Sequence, residues 1–418
     1  MGTLRIFSLT VFLAVAMAAL DASAAGPATR LVRMMGSPRE TIRLQAVESL
    51  RLDPALCASV NDDLIRIAQL EANRLTPNTA PRPSFSELLD LIGATDSAES
   101  AEFLVTLLGS ANHEVVMAAT HMLGKYQRTA AIDELKKQVD HPEFGKRYGF
   151  RFNLVRAFAQ LASDDAREFL VDLSKQTDGQ LKHELDQLLA KPSLLEDRDE
   201  PAGMPKQVVE ATKPEDDAAE KIQLVSGDSE SYSRERLKLQ TSHHYYGIEI
   251  HAKRLMFIID HSGSMKESEW GESRLVRAKR ELVRVIEQLP EECEFTILFY
   301  ADEVRQWRRM LVEATVENKR DAIEFVERLG LGDRTNTHAA LVQSFEVDDN
   351  LEVVYLLTDG RPTTGKVIAP GEIVADVVLR NRYRNLQFNT IGIALEPSTE
   401  QFLRSLAELS GGEFRRVN

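Results

Sequence analysis

Residues 254–265 read RLMFIIDHSGSM. A β-rich apolar run of strand length, Arg254–Asp260, passes directly into a polar loop carrying Asp260, Ser262 and Ser264. Three similar runs follow: Glu294–Tyr300 (EFTILFY), Leu351–Thr358 (LEVVYLLT) and Phe388–Leu395 (FNTIGIAL). Amphipathic stretches at Arg274–Leu289, Glu317–Leu329, Thr337–Phe345, Glu372–Arg384 and Thr399–Leu409 separate and follow them, and Val304–Met310 (VRQWRRM) reads as an edge strand. Strands alternating with helices across short loops predict an α/β doubly wound, mostly parallel sheet with helices on both faces, over residues 245–418. In such folds the ligand site lies in the loops at the carboxyl ends of the strands.

Upstream the pattern changes. Residues 27–191 show helical periodicity, and a self-similar phrase recurs: Leu88–Leu104 (LLDLIGATDSAESAEFL), His121–Leu135 (HMLGKYQRTAAIDEL) and Arg156–Leu170 (RAFAQLASDDAREFL). Gly93, Gly124 and Ala159 hold equivalent places, offset by 31 and then 35 residues, and each is followed 11 residues later by a leucine. That spacing belongs to helix-pair solenoids, and this stretch resembles HEAT-like repeats. The small residue is expected where two helices of a pair meet closely, with the following turn capping the next helix. Over residues 192–242 the periodicity vanishes into Glu, Asp, Lys, Ser and Pro, a composition that predicts a flexible polar linker.

The N-terminus carries one basic residue, Arg5, then an apolar run Ile6–Leu20, then Ala22-Ser23-Ala24. Charge, apolar run and small residues in that order read as a signal peptide over residues 1–24, which places the mature protein in the periplasm, at the cell envelope or outside the cell. The run is shorter than the ~20 residues of a spanning helix. Hydrophobic residues make up 43% of the 418-residue chain and charged residues 28%, enough apolar content for sizeable cores. The net charge of −14 argues against non-specific binding to nucleic acid or anionic lipid. Two isolated cysteines, Cys57 and Cys293, argue against a disulfide framework or a structural zinc site.

Three polar clusters sit where the α/β pattern puts its ligand loops. IIDHSGSM offers Asp260, Ser262 and Ser264; DRTNTHAAL offers Thr335; LLTDGRPTTG offers Asp359. D-x-S-x-S spaces three oxygen-bearing side chains on alternate positions of one loop, so all three can face one point. With Thr335 and Asp359 they make an all-oxygen set suited to Mg²⁺ or Mn²⁺. Here the chain resembles the von Willebrand factor type A domain, whose metal-ion-dependent adhesion site uses D-x-S-x-S, a Thr and an Asp in this order. The lead-in Tyr245-Tyr246-Gly247 and Lys253-Arg254 also looks like exported bacterial proteins with this domain at the C-terminus. The resemblance implies direct metal contacts from Ser262 and Ser264, contacts often through water from Asp260 and Asp359, and an alternating role for Thr335. One departure stands out: Asp333-Arg334 precede Thr335, where the family usually has two glycines.

Other signals are weaker. No Gly-rich phosphate loop is present, and adjacent Asp260-His261-Ser262 would diverge on an extended segment rather than form a catalytic triad. His261 and His338 lie one in each of two ligand loops, as rim residues open to solvent or to a softer cation such as Zn²⁺. Trp270 follows the first loop, either as an anchor at the ligand rim or packed over the sheet end. The expected function is a non-enzymatic, exported binding or adhesion protein that captures an acidic residue of a protein partner on a Mg²⁺ ion, while the solenoid offers a second surface. An accessory subunit of an enzyme or assembly machine, in the manner of chelatase subunits, is the alternative, and the leader speaks against it. A scaffold with a vestigial metal site is the remaining one.

Overall fold

The computed structural model describes residues 26–77, 79–190, 243–269 and 271–417. The expected leader 1–24, the expected linker 192–242 and Trp270 lie outside the described residues. The chain divides into two compact units, one running to Gln176 with Arg382–Asn385 added, the other comprising Thr177–Asn381 and Leu386–Asn418. No described helix is long and apolar enough to cross a membrane.

The first unit is built from helices: α1 Pro27–Met35, α2 Glu40–Arg51, α3 Pro54–Ser59, α4 Asn61–Ala72, α5 Pro83–Ala94, α6 Ala98–Leu107, α7 His113–Lys125, α8 Ile132–Lys136, α9 Tyr148–Leu161 and α10 Asp164–Ser174. The recurring phrase is one helix, a turn and the start of the next. Its terminal leucines Leu104, Leu135 and Leu170 are all fully buried. Ser97 and Ser163 cap α6 and α10 by accepting the N–H groups of Ser100 and Ala166. The T-A-A copy instead forms a 3₁₀ turn, Thr129–Ala131, with no side-chain cap.

The small residues work differently from the sequence expectation. A Cβ on Gly124 of α7 would lie 2.5 Å from Ala157 Cα of α9, and one on Gly93 of α5 would lie 2.6 Å from Tyr126 Cδ2 at the end of α7. The close approach is therefore between first helices of successive copies, not within a helix pair. At these two copies the small residue lets the first helix stack on that of the next copy.

The second unit opens with α11, Gly179–Ala190, which the periodicity assigned to the helical half. Buried Glu352 accepts the Lys253 N–H at 2.9 Å and that of Gln180, near the start of α11, at 3.5 Å. Lys253 in turn pairs with Asp178 at 2.7 Å. The remaining elements are β1 His244–Tyr245, β2 Ile248–Glu249, β3 Arg254–Asp260, β4 Ser268–Glu269, β5 Glu272–Ser273, α12 Arg274–Gln288, β6 Glu294–Tyr300, β7 Val304–Gln306, β8 Val312–Glu313, α13 Val316–Arg328, α14 Thr337–Val347, β9 Val353–Thr358, α15 Pro370–Asn381, β10 Gln387–Ile393, α16 Pro397–Ser410 and β11 Phe414–Val417.

The main sheet has the order β11-β10-β9-β3-β6-β7, with β8 also on β6. Neighbours from β11 to β6 are parallel, and only β7 and β8 run antiparallel. The expected edge strand is thus shorter than read. β11 is not legible in the sequence because FRRV is short and carries two exposed arginines at its centre.

Alternation along β3 explains why the opening run is apolar at every central position. Leu255, Phe257 and Ile259 pack with Leu275, Leu282 and Ile286 of α12 and with Val326 of α13 on one face. Met256 and Ile258 pack with Leu341 of α14, Val377 of α15 and Leu403 of α16 on the other. A strand covered on both faces must be apolar throughout. Starting at β3, the chain winds out to β6 and then places β9 on the opposite side of β3. The β3–β9 boundary is where the winding reverses, and a crevice opens at the carboxyl ends there.

Candidate functional site

β3 ends at Asp260, which is fully buried. Its Oδ1 accepts the Ser262 N–H at 2.8 Å, an Asx turn that bends the chain off the strand. Its Oδ2 accepts the Thr358 hydroxyl at 2.6 Å. A 3₁₀ turn, Gly263–Lys266, then brings Ser264 beside Ser262, with their Oγ atoms 3.2 Å apart. Across the crevice, the Ser264 hydroxyl donates to Asp359 Oδ1 at 2.7 Å. Four of the five residues singled out in the sequence are therefore joined in one hydrogen-bonded chain spanning the β3–β9 boundary.

Thr335 arrives on the third loop and is tied to both others through its backbone. The Gly263 N–H donates to Asp333 O at 2.9 Å, and the Gly332 N–H donates to His261 O at 2.7 Å. On the other side, Thr335 N–H donates to Thr363 Oγ1 at 2.9 Å, and Thr363 N–H returns to Thr335 O at 2.9 Å. Thr335 itself is buried. The unusual Asp333-Arg334 pair is accommodated because both side chains are exposed. Close approach in this loop falls at Gly332: a Cβ there would lie 2.3 Å from Ala301 Cβ and 3.2 Å from His261 Cε1.

Burial pushes the Asp260 carboxyl up to about 6; the donors Ser262 and Thr358 offset part of that rise, and the neighbouring Asp359 charge adds to it. Asp359 has a counter-charge that sequence reading missed. Arg274, the first residue of α12, donates Nη1 to Asp359 Oδ2 at 3.0 Å. Thr358 and Gly332 were missed as well. Thr358 directly precedes Asp359, but nothing local tells that its hydroxyl turns to Asp260.

The two histidines are not rim groups. His261 is 2% exposed and His338 6% exposed. Nδ1 of His261 is 2.9 Å from Gly330 O, and burial holds its imidazole below the usual range. His338 Nε2 is 2.9 Å from Asp376 Oδ2. The expectation that they stand open to solvent or to a softer cation fails for this reason. Among the described residues, no group of three or more His, Cys, Asp or Glu is disposed to hold a metal.

The donor set is instead hydroxyl-rich and oxygen-only, which fits a hard divalent cation. Two more buried hydroxyls lie at this end of the sheet: Tyr300 Oη, opposite Asp260 in the β3–β6 register, and Thr337 Oγ1 in the first turn of α14, which interact with each other.

Residues 255–417 match the family model for the von Willebrand factor type A domain. The chain is similar to von Willebrand factor A domain-containing protein 3B of Homo sapiens, 32% identical over 171 residues, covering 40% of this chain and 12% of that protein. It is also similar to inter alpha-trypsin inhibitor, heavy chain 4 of Mus musculus, 26% identical over 182 residues, covering 40% of this chain and 18% of that protein. The match therefore spans less than a fifth of either relative's length. A solved structure, von Willebrand factor type A from Catenulispora acidiphila, aligns with TM-score 0.35 and 21% identity over 41% of this chain and 40% of that one. The family match over residues 255–417 coincides with the doubly wound sheet, a domain of the von Willebrand factor type A kind that follows a helical N-terminal half in the sequence.

Proposed function

We propose that this domain binds a protein partner through a Mg²⁺ or Mn²⁺ ion held by Ser262, Ser264 and Thr335, with Asp260 and Asp359 in support. The observation that carries this reading is the hydrogen-bonded chain Asp260–Ser262–Ser264–Asp359 across the crevice where the sheet winding reverses. When bound, the cation would supply an electrophilic centre that accepts an acidic side chain of the partner as a ligand. The chain's own residues do the rest. Thr358 orients Asp260, the backbone of residues 332–335 docks Thr335 against the first loop, and neutral hydroxyls leave the ion's charge largely uncancelled for the partner's carboxylate. On this reading the protein is a non-enzymatic binding protein, and the helical repeats offer a second surface.

The test is partner capture from an envelope fraction on the intact protein, with Mg²⁺ or with EDTA. Capture is expected with Mg²⁺ and should fall to background in EDTA or in Ser262→Ala. Equal capture in EDTA would sink the metal-dependent reading. Export belongs to the same proposal and rests on the Arg5, Ile6–Leu20, Ala22–Ala24 pattern. N-terminal sequencing of the native protein should find a start near Ala25, and an intact Met1 on cytoplasmic material would refute it.

A further inference from the structure

The metal-site reading leaves one charged side chain at the crevice without a role. Arg274 Nη1 lies 3.0 Å from Asp359 Oδ2 and also 3.0 Å from Glu267 Oε2. The Asp359 side chain is 0% exposed and that of Arg274 11%, whereas that of Glu267 is 59% exposed. Ser264 already holds the other Asp359 oxygen. Both oxygens of this carboxylate are thus engaged by protein donors, and one donor carries a full positive charge.

A buried carboxylate without a counter-charge is costly, so Asp359 needs neutralising whenever no cation is bound. Arg274 does this from a fixed place: it opens α12, and its backbone N–H donates to Glu267 O at 3.0 Å. A guanidinium and a divalent cation drawn to the same carboxylate repel each other across a few ångströms of partly buried space, where screening is weak. Glu267 already touches the guanidinium from the solvent side, so it offers an anionic partner if the Asp359 contact is given up.

We propose that Arg274 is a tethered counter-charge that takes the place of the metal on Asp359, holds the empty site folded, and lowers the site's affinity for divalent cations. Entry of the cation then requires Arg274 to give up Asp359 and remain with Glu267. The inference rests on the metal-site reading above and goes beyond it by assigning the residue that sets the affinity.

The experiment is titration calorimetry of the full chain with Mn²⁺ alone, paired with thermal unfolding in EDTA and in Mn²⁺, for the unmodified protein, Arg274→Gln and Arg274→Lys. Arg274→Gln should bind Mn²⁺ about tenfold tighter, within the usual range for two coupled binding equilibria. It should also unfold at lower temperature in EDTA and show a larger rise on adding Mn²⁺. Arg274→Lys keeps the charge and should stay within about threefold of the unmodified affinity. If the unmodified protein binds Mn²⁺ and Arg274→Gln binds it no tighter, the inference is overturned and the metal site stands. Equal tightening by Lys and Gln overturns it too, because charge would not be the cause. If no form binds Mn²⁺ at millimolar levels, the metal-site reading falls and takes this inference with it.

Discussion

Asp260→Asn is expected to abolish divalent-cation binding at millimolar concentration and, in the same protein, to make the metal-free fold more stable. The first effect follows from position. Asp260 anchors the Ser262 turn and holds Thr358, so it supplies both charge and alignment to the candidate ligands. The second follows from burial. The folded carboxyl titrates near 6, against 3.8 for an unperturbed one, so the native state holds its proton more tightly than the unfolded chain does. Stability therefore falls as pH rises from about 4 to about 6, and the full penalty is present above that window.

Two pK units correspond to about 3 kcal/mol as a ceiling. Asparagine removes the buried charge and can still accept the Ser262 N–H. Thr358, whose hydroxyl lies 3.2 Å from Gly360 O, has an alternative acceptor. Urea unfolding in EDTA should thus show Asp260→Asn more stable than the unmodified protein at pH 8, with the gap closing as pH falls toward about 4. A variant that is less stable at pH 8 would mean that the lost hydrogen-bond geometry outweighs the buried charge. Function and stability pull apart at this residue, as expected where a site is built for a ligand.

Gly124→Leu should be the most damaging single change in the helical unit. The first added carbon would meet Ala157 Cα at 2.5 Å and Ala157 O at 3.0 Å, which are backbone atoms that no rotamer change can move. α7 and α9 must separate, and the buried Leu123, Leu154 and Phe158 on those helices lose packing with them. Overpacking costs about 1–3 kcal/mol where side chains can yield, and more where backbones must part, so about 4 kcal/mol is expected here. At about 2–4 °C per kcal/mol for a unit of this size, the melting temperature of the helical signal should drop by roughly 10 °C. Circular dichroism melting of the full chain measures it. A shift below about 2 °C would show that α7 and α9 can part at little cost, against the close-stacking account. Gly93→Leu should be milder, because its nearest neighbours are ring atoms of Tyr126, which can swing aside.

Local chemistry alone specified much of this protein. Arg254–Asp260 announced a strand because a segment covered on both faces is apolar throughout, and D-x-S-x-S announced a loop that can turn three oxygen side chains toward one point. The five oxygen side chains were legible because each sits directly after a strand or ahead of a helix, where the α/β pattern opens its ligand loops. The repeat phrase was legible because its leucines and small residues recur in step. Contacts between residues far apart in sequence were not. Whether Gly124 faces its own pair or the next copy depends on how helices stack. The need for a glycine at position 332 depends on where Ala301 and His261 come to rest. The pairing of Arg274 with Asp359 joins residues 85 positions apart, and that of Thr358 with Asp260 joins residues 98 apart. Periodicity and propensity act over one turn or one strand, whereas charge compensation in a buried crevice is settled only when the sheet has closed and brought those side chains within hydrogen-bond reach.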